Sequence, residues 1–263
     1  MKSINILKKY SEIEGDRRMK SLKNARFFLF VIVIIFLVID VTGEPADSEP
    51  GKKPHLVPAA ASAVKIDGIM EEKAWEDALV LELDNEVELD QEGKLPRKMN
   101  LKPLVKTEVL LTYDSTHLYA AFRAYTPDPA QIRVNHNKRD EIFQDDNVGI
   151  TLDISNDGRK AYNFSSNANG IQSDEILEEK GYIPWDGTWN SAGKIDDKGY
   201  IVEMAIPFTA LPLKGDKEQV WGIDAVRIYF TPKKEHIANL FQRDDSNKCY
   251  ICQIDKIIIF KGK

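Results

Sequence analysis

The sequence predicts an all-β protein, a jelly-roll-like antiparallel β-sandwich with one short helix near its N-terminus. Three observations support this fold class. Apolar and polar residues alternate with a period of two in many short segments, which is typical of strands with one buried face. Turn-forming residues separate these segments, and a longer helical pattern is confined to one stretch before residue 80. Many short strands between turns favour a sandwich.

Seven segments carry the strand pattern. They are 107–113, 118–125, 148–154, 161–166, 200–206, 221–230 and 253–260. Asn156-Asp157-Gly158 separates the third segment from the fourth and supplies residues that tolerate hairpin geometry. The helix is predicted over 71–78, because two glutamates favour its N-terminus and Trp75 follows as an anchor to the core.

The first 43 residues are predicted to direct export. Residues 1–26 hold eight Lys and Arg against three acids, and 27–39 is an unbroken apolar run of 13 residues. This is the pattern of a secretory signal, and the run is short for a spanning helix, which needs roughly 20 apolar residues. A cleaved signal peptide is favoured, with an uncleaved membrane anchor as the alternative. Residues 44–62 are predicted as a proline-containing linker, and 63–263 as one periplasmic or extracellular domain.

The charge of the exported part limits its partners. The chain has 36 Lys and Arg against 42 Asp and Glu; beyond residue 26 this leaves 28 against 39, a net charge of −11. Nucleic acid is therefore not expected as a partner, because a phosphate backbone binds clustered positive charge. A neutral polymer or a divalent cation fits this composition better.

Six sequence blocks follow one another along the domain. They are Asp-Gly-x-x-x-Glu-x-x-Trp (67–75), Thr-Glu-Val-x-x-x-Tyr-Asp (107–114), Leu-Tyr-x-x-x-Arg (118–123), Arg-Asp-x-x-x-x-Asp-Asp-x-Val-Gly (139–149), Asn-x-x-Gly (167–170) and Glu-x-x-Ile-Pro-Phe (203–208), followed by Trp221-Gly222. In this order they resemble a family 9 carbohydrate-binding module, most closely the version that begins certain bacterial outer-membrane β-barrel proteins. The resemblance spans about 63–260 and implies a β-sandwich with structural calcium.

The resemblance also implies a sugar slot between two aromatic rings with polar residues at its rim. The loop 182–190, with Trp185 and Trp189, is the candidate for one side. Phe143 stands on the other side, where it offers less stacking surface than a tryptophan. Sugars present apolar C–H faces, so exposed rings beside hydrogen-bonding groups suit them. The predicted polar residues are Arg123, Arg139 and Asp140.

Two of these residues also have a structural interpretation. Trp189 opens a predicted strand, so its ring is as well placed to point into the core. Arg123 lies on a strand whose alternate residues are apolar, where an arginine commonly pairs with a carboxylate. The predicted partners are Asp140, Asp145 and Asp146. Trp75 and Trp221 are predicted to be core residues.

Asp145 and Asp146 are the predicted metal ligands. Adjacent carboxylates beside a strand supply oxygen ligands that suit a hard cation such as calcium. The turn 153–158 resembles only the opening of an EF-hand loop, since position twelve of that loop is Phe164 instead of glutamate. It is predicted to be a plain hairpin turn.

The sequence offers little that favours other chemistry. The histidines are scattered, and neither a Gly-x-Ser-x-Gly elbow nor a phosphate-binding glycine loop is present. Cys249 and Cys252 supply half of a zinc site, and a disulfide between them requires a turn. No haem is expected. The candidate ligands are Met204 and His136, but Met204 is predicted to be a core residue.

The leading hypothesis is a non-catalytic module that binds an oligosaccharide or polysaccharide, alone or as an accessory to a glycoside hydrolase. The alternative is a structural or assembly domain of the bacterial envelope, with a protein partner, that has the same fold and has lost sugar binding.

Overall fold

The computed structural model describes residues 53–90, 98–135, 138–179, 181–213, 218–232, 234–244 and 249–260. The strands are β1 (His55–Leu56), β2 (Leu79–Glu82), β3 (Asn85–Asp90), β4 (Lys98–Leu101), β5 (Thr107–Tyr113), β6 (His117–Tyr125), β7 (Asn147–Asp153), β8 (Lys160–Asn167), β9 (Gln172–Glu178), β10 (Gly181–Pro184), β11 (Asn190–Asp196), β12 (Gly199–Pro207), β13 (Glu218–Phe230), β14 (Lys234–Asn239) and β15 (Asp255–Phe260). Single 3₁₀ turns lie at Lys73–Trp75, Pro129–Gln131, Phe208–Ala210 and Ile251–Gln253.

The strands form two sheets packed face to face. The larger sheet has the order β10-β9-β8-β7-β13-β14-β3-β4, and β15 joins it by pairing with β13 and with β1. The smaller sheet has the order β11-β12-β6-β5-β2. Both sheets are built from antiparallel neighbours, while β1 pairs with β15 in parallel. The predicted antiparallel sandwich is confirmed.

The core lies between the two sheets because the alternate residues of each strand face inward. On the smaller sheet, Phe122 pairs with Val109 on β5 and with Val202 on β12, and all three are fully buried. Trp221 contributes to the same core from the larger sheet and is 0% exposed, as predicted. Met204 is buried there too, which agrees with its predicted core position.

A second apolar cluster lies on the outer face of the smaller sheet. Trp75 packs there against small or apolar side chains of β5, β6 and β12, which are Leu110, Tyr119, Ala121 and Ala205. The predicted burial of Trp75 is confirmed. The helix predicted over 71–78 is wrong in extent, because only the turn Lys73–Trp75 forms. Sheet pairing explains this, since β2 begins at Leu79 and pairs with β5.

Glu203 fastens the segment before Trp75 to the smaller sheet. Its carboxylate accepts hydrogen bonds from the backbone N–H groups of Asp67 and Gly68, at 3.0 and 2.8 Å. It also accepts one from the indole Nε1 of Trp75, at 3.1 Å. Gly68 has a φ of +80°, which favours glycine, and a Cβ atom at this position would lie 3.0 Å from Cβ of Lys194. Burial raises the pKa of Glu203, although these three donors favour its charged form.

The domain boundaries differ from the prediction at one point. The predicted linker 44–62 is too long, because β1 lies within it and Val57 is buried in the core. The backbone N–H of Val57 donates to Ile258, which extends the pairing of β1 with β15. The predicted leader 1–43 lies outside the described residues. Within the described ranges, no helix is long and apolar enough to cross a membrane.

Cys249 and Cys252 form a disulfide where the turn Ile251–Gln253 begins, with their Cα atoms 5.3 Å apart. The turn supplies the geometry that an extended strand lacks, and it shortens the last predicted strand to β15. The same segment covers the outer face of the larger sheet, where Ile251 and Ile254 pack on β8 and β9.

Candidate functional site

The loop 185–189 connects β10, the edge strand of the larger sheet, to β11, the edge strand of the smaller one. Trp185 is half-buried in this loop and packs against the main core. Its ring makes edge contacts with Tyr162 and Phe164 on β8, with centroids 5.2 and 5.6 Å apart. These contacts fix the indole at the edge of the sandwich while part of its surface stays open to solvent.

Gly187 is required for this placement. A Cβ atom at position 187 would lie 2.5 Å from Cη2 of the Trp185 ring, well inside van der Waals contact. The indole therefore lies directly against the backbone of its own loop. Glycine is needed for this close approach rather than for an unusual φ.

Arg139 lies beside this loop and binds it to β9. Its guanidinium donates to the carboxylate of Asp174, to the side-chain oxygen of Gln172 and, at 2.9 Å, to the carbonyl oxygen of Gly187. Its Nε lies 3.0 Å from a carboxylate oxygen of Asp186, a side chain that is 84% exposed. The arginine side chain is 31% exposed, so it is held from within and still reaches the surface.

Asp174 binds both Arg139 and the backbone of the loop from the buried side of the site. Its side chain is fully buried, and besides Arg139 it accepts a hydrogen bond from the backbone N–H of Gly187. Burial raises the pKa of Asp174, an effect that Arg139 and the Gly187 N–H oppose and that the nearby Asp140 and Asp186 strengthen. The carboxylate thus fixes one cation and one turn of backbone at the same point.

Asp140 approaches the same region from the loop before β7. Asp140 has a φ of +63°, and its carboxylate accepts from the backbone N–H of Asp174 at 3.3 Å. Phe143 is half-buried in the turn that follows. No ring contact joins Phe143 to Trp185 in the described part of the chain. Arg139, Asp140 and Trp185, three of the predicted sugar-binding residues, are therefore grouped around Asp174.

Trp189 does not belong to this surface. It is 5% exposed, and its ring packs edge-on against Phe164 in the core, with centroids 5.4 Å apart. The prediction that Trp189 stacks on a sugar disagrees with this placement, because a buried ring has no free face. The structural interpretation agrees with it, since the loop reaches the smaller sheet here and the next residue begins β11.

Arg123 also lies elsewhere. It is on β6 of the smaller sheet, facing outward, and its guanidinium binds Asp196 at 2.5 Å. The predicted pairing with Asp140, Asp145 or Asp146 is wrong. Register explains the observed pair, because β12 aligns Arg123 with Ile201 and the turn from β11 to β12 brings Asp196 alongside.

Asp145 and Asp146 are both buried, but they face different partners. Asp145 accepts from the backbone N–H of Asn135 and from the side-chain amide of Asn167, each at 2.9 Å. Burial raises the pKa of Asp146 to about 6, although the nearby Arg227 favours its charged form. Calcium takes 6 to 8 oxygen ligands, whereas the neighbours of Asp145 present N–H donors and Asp146 faces an arginine. This arrangement does not fit a calcium site.

Across the described ranges, no group of three or more His, Cys, Asp or Glu side chains is placed to hold a metal ion. The turn 153–158 is the predicted plain hairpin, since the Asp153 carboxylate accepts from the backbone N–H groups of Ser155 and Gly158. His136, the haem ligand considered with Met204, lies outside the described residues.

Sequence reasoning missed Gln172, Asp174 and Asp186. Gln172, Asp174 and the partly buried Ile176 all lie on the inward face of β9. Two polar residues on the core face at one end of a strand were a signal of a built polar site, but β9 itself was not predicted. Asp186 was visible in the aromatic loop without an assigned role.

A polar row on the outer face of the larger sheet was missed as well. Asn163 accepts from Thr151 at 3.1 Å and donates to Ser165 at 3.1 Å and to Glu175 at 3.5 Å. Burial raises the pKa of Glu175 to about 7, and the neighbouring Asp140 and Asp174 raise it further. Glu175 follows Asp174 along β9 but lies on the opposite face of the sheet, and both carboxyl groups lie close enough to Asp140 to interact with it electrostatically.

The comparisons agree with this architecture. Two solved structures of a family 9 carbohydrate-binding module from Caldicellulosiruptor kristjanssonii are similar to the chain: one in complex with cellotriose (15% identity, 80% of this chain and 95% of that one, TM-score 0.55) and one in complex with glucose (16% identity, 77% and 94%, TM-score 0.54). A putative carbohydrate-binding protein from Bacteroides uniformis ATCC 8492 is similar at 9% identity, with 78% and 99% covered and a TM-score of 0.55. At these identities the likeness shows the fold.

No curated protein matches the chain. The family model described as carbohydrate family 9 binding domain-like matches residues 66–246, which is more than half of the sequence. The match begins at the segment that Glu203 fastens and includes Arg139, Asp174 and the loop around Trp185. The chain therefore belongs to the carbohydrate family 9 binding domain-like family.

Proposed function

We propose that this protein binds carbohydrate without catalysis, at the surface formed by Trp185, Arg139, Asp140, Asp186 and Phe143. The observation that carries the proposal is the half-buried indole of Trp185, which is fixed at the edge of the sandwich beside a guanidinium that reaches solvent. Sugar sites combine an open aromatic face with hydrogen-bonding groups at its rim.

Each residue has a distinct role in this proposal. The free surface of Trp185 stacks on the C–H face of a pyranose ring. Arg139 donates hydrogen bonds to hydroxyl groups, and the exposed carboxylates of Asp140 and Asp186 accept them. Phe143 covers the sugar from the neighbouring loop. Asp174 stays buried and positions Arg139 and Gly187, so the site is preorganised before the sugar arrives.

The preferred ligand is a neutral β-linked glucan segment. Cellotriose and glucose are the ligands of the similar Caldicellulosiruptor modules, which share this fold. The acidic balance of the exported part agrees with a neutral polymer. We place the protein outside the cytoplasm, either free after cleavage of its leader or anchored by it, where such polymers occur.

Isothermal titration calorimetry with glucose, cellotriose and a panel of other neutral oligosaccharides tests this proposal. The wild-type protein is expected to bind at least one of them, and Trp185→Ala is expected to weaken that binding by about thirtyfold or more. Trp189→Phe is the matched control, because Trp189 lies in the core, and it is expected to keep the wild-type affinity. If no sugar in the panel binds, or if Trp185→Ala binds as tightly as wild type, the proposal fails.

One observation favours the second candidate, an envelope assembly domain that has lost sugar binding. Only one of the two tryptophans of the aromatic loop reaches the surface, since Trp189 is 5% exposed. The same titrations separate the two functions. A protein that folds normally and binds no glycan supports an assembly role with a protein partner.

A further inference from the structure

A cleft of about 500 Å³ lies on the outer face of the smaller sheet, on the other sheet from Arg139 and Asp174. Its floor is formed by β5, β6, β11 and β12, and the segment 68–71 forms one wall. Glu203 holds that wall in place through its hydrogen bonds to Asp67 and Gly68. The volume falls in the range of about 300 to 1,000 Å³ that is typical of small-ligand sites.

Strand register arranges the floor of this cleft. Glu108 on β5 pairs with Arg123 on β6, Arg123 pairs with Ile201 on β12, and Ile201 pairs with Lys194 on β11. Cross-strand partners share a face of the sheet, so these four side chains form one row across the cleft. The row places an acceptor, a guanidinium, an apolar side chain and an ammonium group in sequence.

The β11 side of the cleft carries more positive charge than its neighbours neutralise. Asp196 binds Arg123 at 2.5 Å, and its other oxygen accepts from the backbone N–H of Lys198 at 2.8 Å. The ammonium groups of Lys194 and Lys198 also line the cleft, and within the described ranges neither has an ion pair within 4.0 Å. The Asp67 carboxylate, which pairs with Lys65 at 2.6 Å, also lies close enough to Lys194 to interact with it electrostatically. The two lysines and the held arginine together attract an anionic group.

The opposite side of the cleft is acidic and apolar. Glu108 accepts from the hydroxyl of Tyr125 at 3.1 Å and pairs with Lys106 at 2.7 Å. Leu110 and Met70 supply apolar surface near it. A ligand that matches both sides needs one carboxylate, hydroxyl groups that donate to a carboxylate oxygen, and apolar C–H surface.

We propose that this cleft is a second binding site, specific for a uronate residue of an acidic polysaccharide. The uronate carboxylate binds Lys194, Lys198 and the remaining N–H donors of Arg123. A ring hydroxyl donates to Glu108, and the C–H face of the ring lies on Ile201 and Leu110. The site is independent of the neutral-sugar surface around Trp185.

Titration of a galacturonate trisaccharide into the full-length protein tests this site, with cellotriose as the neutral probe. The uronate is expected to bind about tenfold more weakly to the double variant Lys194→Gln, Lys198→Gln than to wild type. Raising the salt from 50 to 300 mM is expected to weaken wild-type binding several-fold, because both lysines are exposed. Lys160→Gln, an exposed lysine on the larger sheet, is the matched control and is expected to bind normally.

Three results would overturn the second site. The first is equal uronate affinity in the double variant and in wild type. The second is loss of uronate binding in Trp185→Ala with normal binding in the double variant, which would assign both sugars to the Trp185 surface. The third is equal binding of an acidic peptide, which would make the cleft a general anion site. Loss of cellotriose binding alone would affect only the proposed function around Trp185.

Discussion

Two buried carboxylates each hold a loop that contains a glycine and a tryptophan, one on each sheet. Glu203 on the smaller sheet accepts from the backbone of Asp67 and Gly68 and from the indole of Trp75. Asp174 on the larger sheet accepts from the backbone of Gly187 and pairs with Arg139. The first loop is closed and its tryptophan is 5% exposed, whereas the second leaves Trp185 half-buried at the surface.

The difference lies in what the carboxylate binds besides the backbone. Glu203 uses the indole N–H itself, which pulls Trp75 onto the sheet and leaves no face for a ligand. Asp174 uses an arginine instead, so Trp185 is free of the carboxylate and a cation remains near the surface. A pattern of glycine, tryptophan and acid therefore predicts a fastened loop. The partner that the carboxylate binds besides the backbone decides the rest: an indole N–H buries the tryptophan, whereas an arginine leaves it at the surface.

The largest effect is expected from Glu203→Ala. This change leaves two buried donors and one partly buried donor without an acceptor, so the free energy of unfolding is expected to fall by about 3 kcal/mol. Urea unfolding measures it, with Glu76→Ala, an exposed glutamate of the same segment, as the control. Sugar affinity of the folded fraction is expected to stay unchanged. A loss below about 1 kcal/mol would show that Glu203 does not fasten the segment.

Gly187→Ala tests the open loop by steric means. The new Cβ displaces the Trp185 ring, which Tyr162 and Phe164 hold on the other side, so a cost of about 2 kcal/mol in stability is expected. Because the displaced ring is the proposed stacking surface, sugar affinity is expected to fall as well. Thr188→Ala, at an exposed position of the same loop, is the control. Unchanged affinity in Gly187→Ala would separate Trp185 from the ligand.

Arg139→Lys removes the planar set of N–H donors of the guanidinium and keeps the positive charge. A lysine cannot reach Asp174, Gln172 and the Gly187 carbonyl together, because an ammonium group lacks the planar fork of a guanidinium. Sugar affinity is expected to fall about tenfold, as measured by calorimetry. The matched change Arg123→Lys, on the other sheet, is expected to leave neutral-sugar binding unaffected. The opposite ranking of the two variants would place the neutral-sugar site on the smaller sheet.

The fold could be predicted further from the sequence than the site could. The period-two pattern identified β5, β6, β7 and β12, because each has one face in the core. Strand β9 was missed because it carries Gln172 and Asp174 on its core face, where the pattern requires apolar residues. The residues that break the strand pattern are the ones that hold Arg139. The ion-pair partner of Arg123 could not be predicted either, since Asp196 lies 73 residues away in the sequence and the two meet only through the register of the strands.

The smallest effect is a dependence on pH that is confined to the larger sheet. The pKa of Glu175 is raised to about 7 from its ordinary value of 4.5, so its contribution to stability is present below pH 4.5 and lost as the pH rises to about 7. Glu175→Gln is expected to be about 1 kcal/mol more stable than wild type at pH 8 and no more stable at pH 4.5. Urea unfolding at both pH values measures the difference. An equal effect at both pH values would contradict the raised pKa.

We expect a sugar to contact the tryptophan of the open loop and not that of the closed one. Titration of cellotriose, followed by tryptophan fluorescence in Trp185→Phe and Trp75→Phe, tests it most directly. We expect the ligand-induced spectral change to disappear in Trp185→Phe and to persist in folded Trp75→Phe. A change that persists in Trp185→Phe, or that disappears in Trp75→Phe alone, would contradict it.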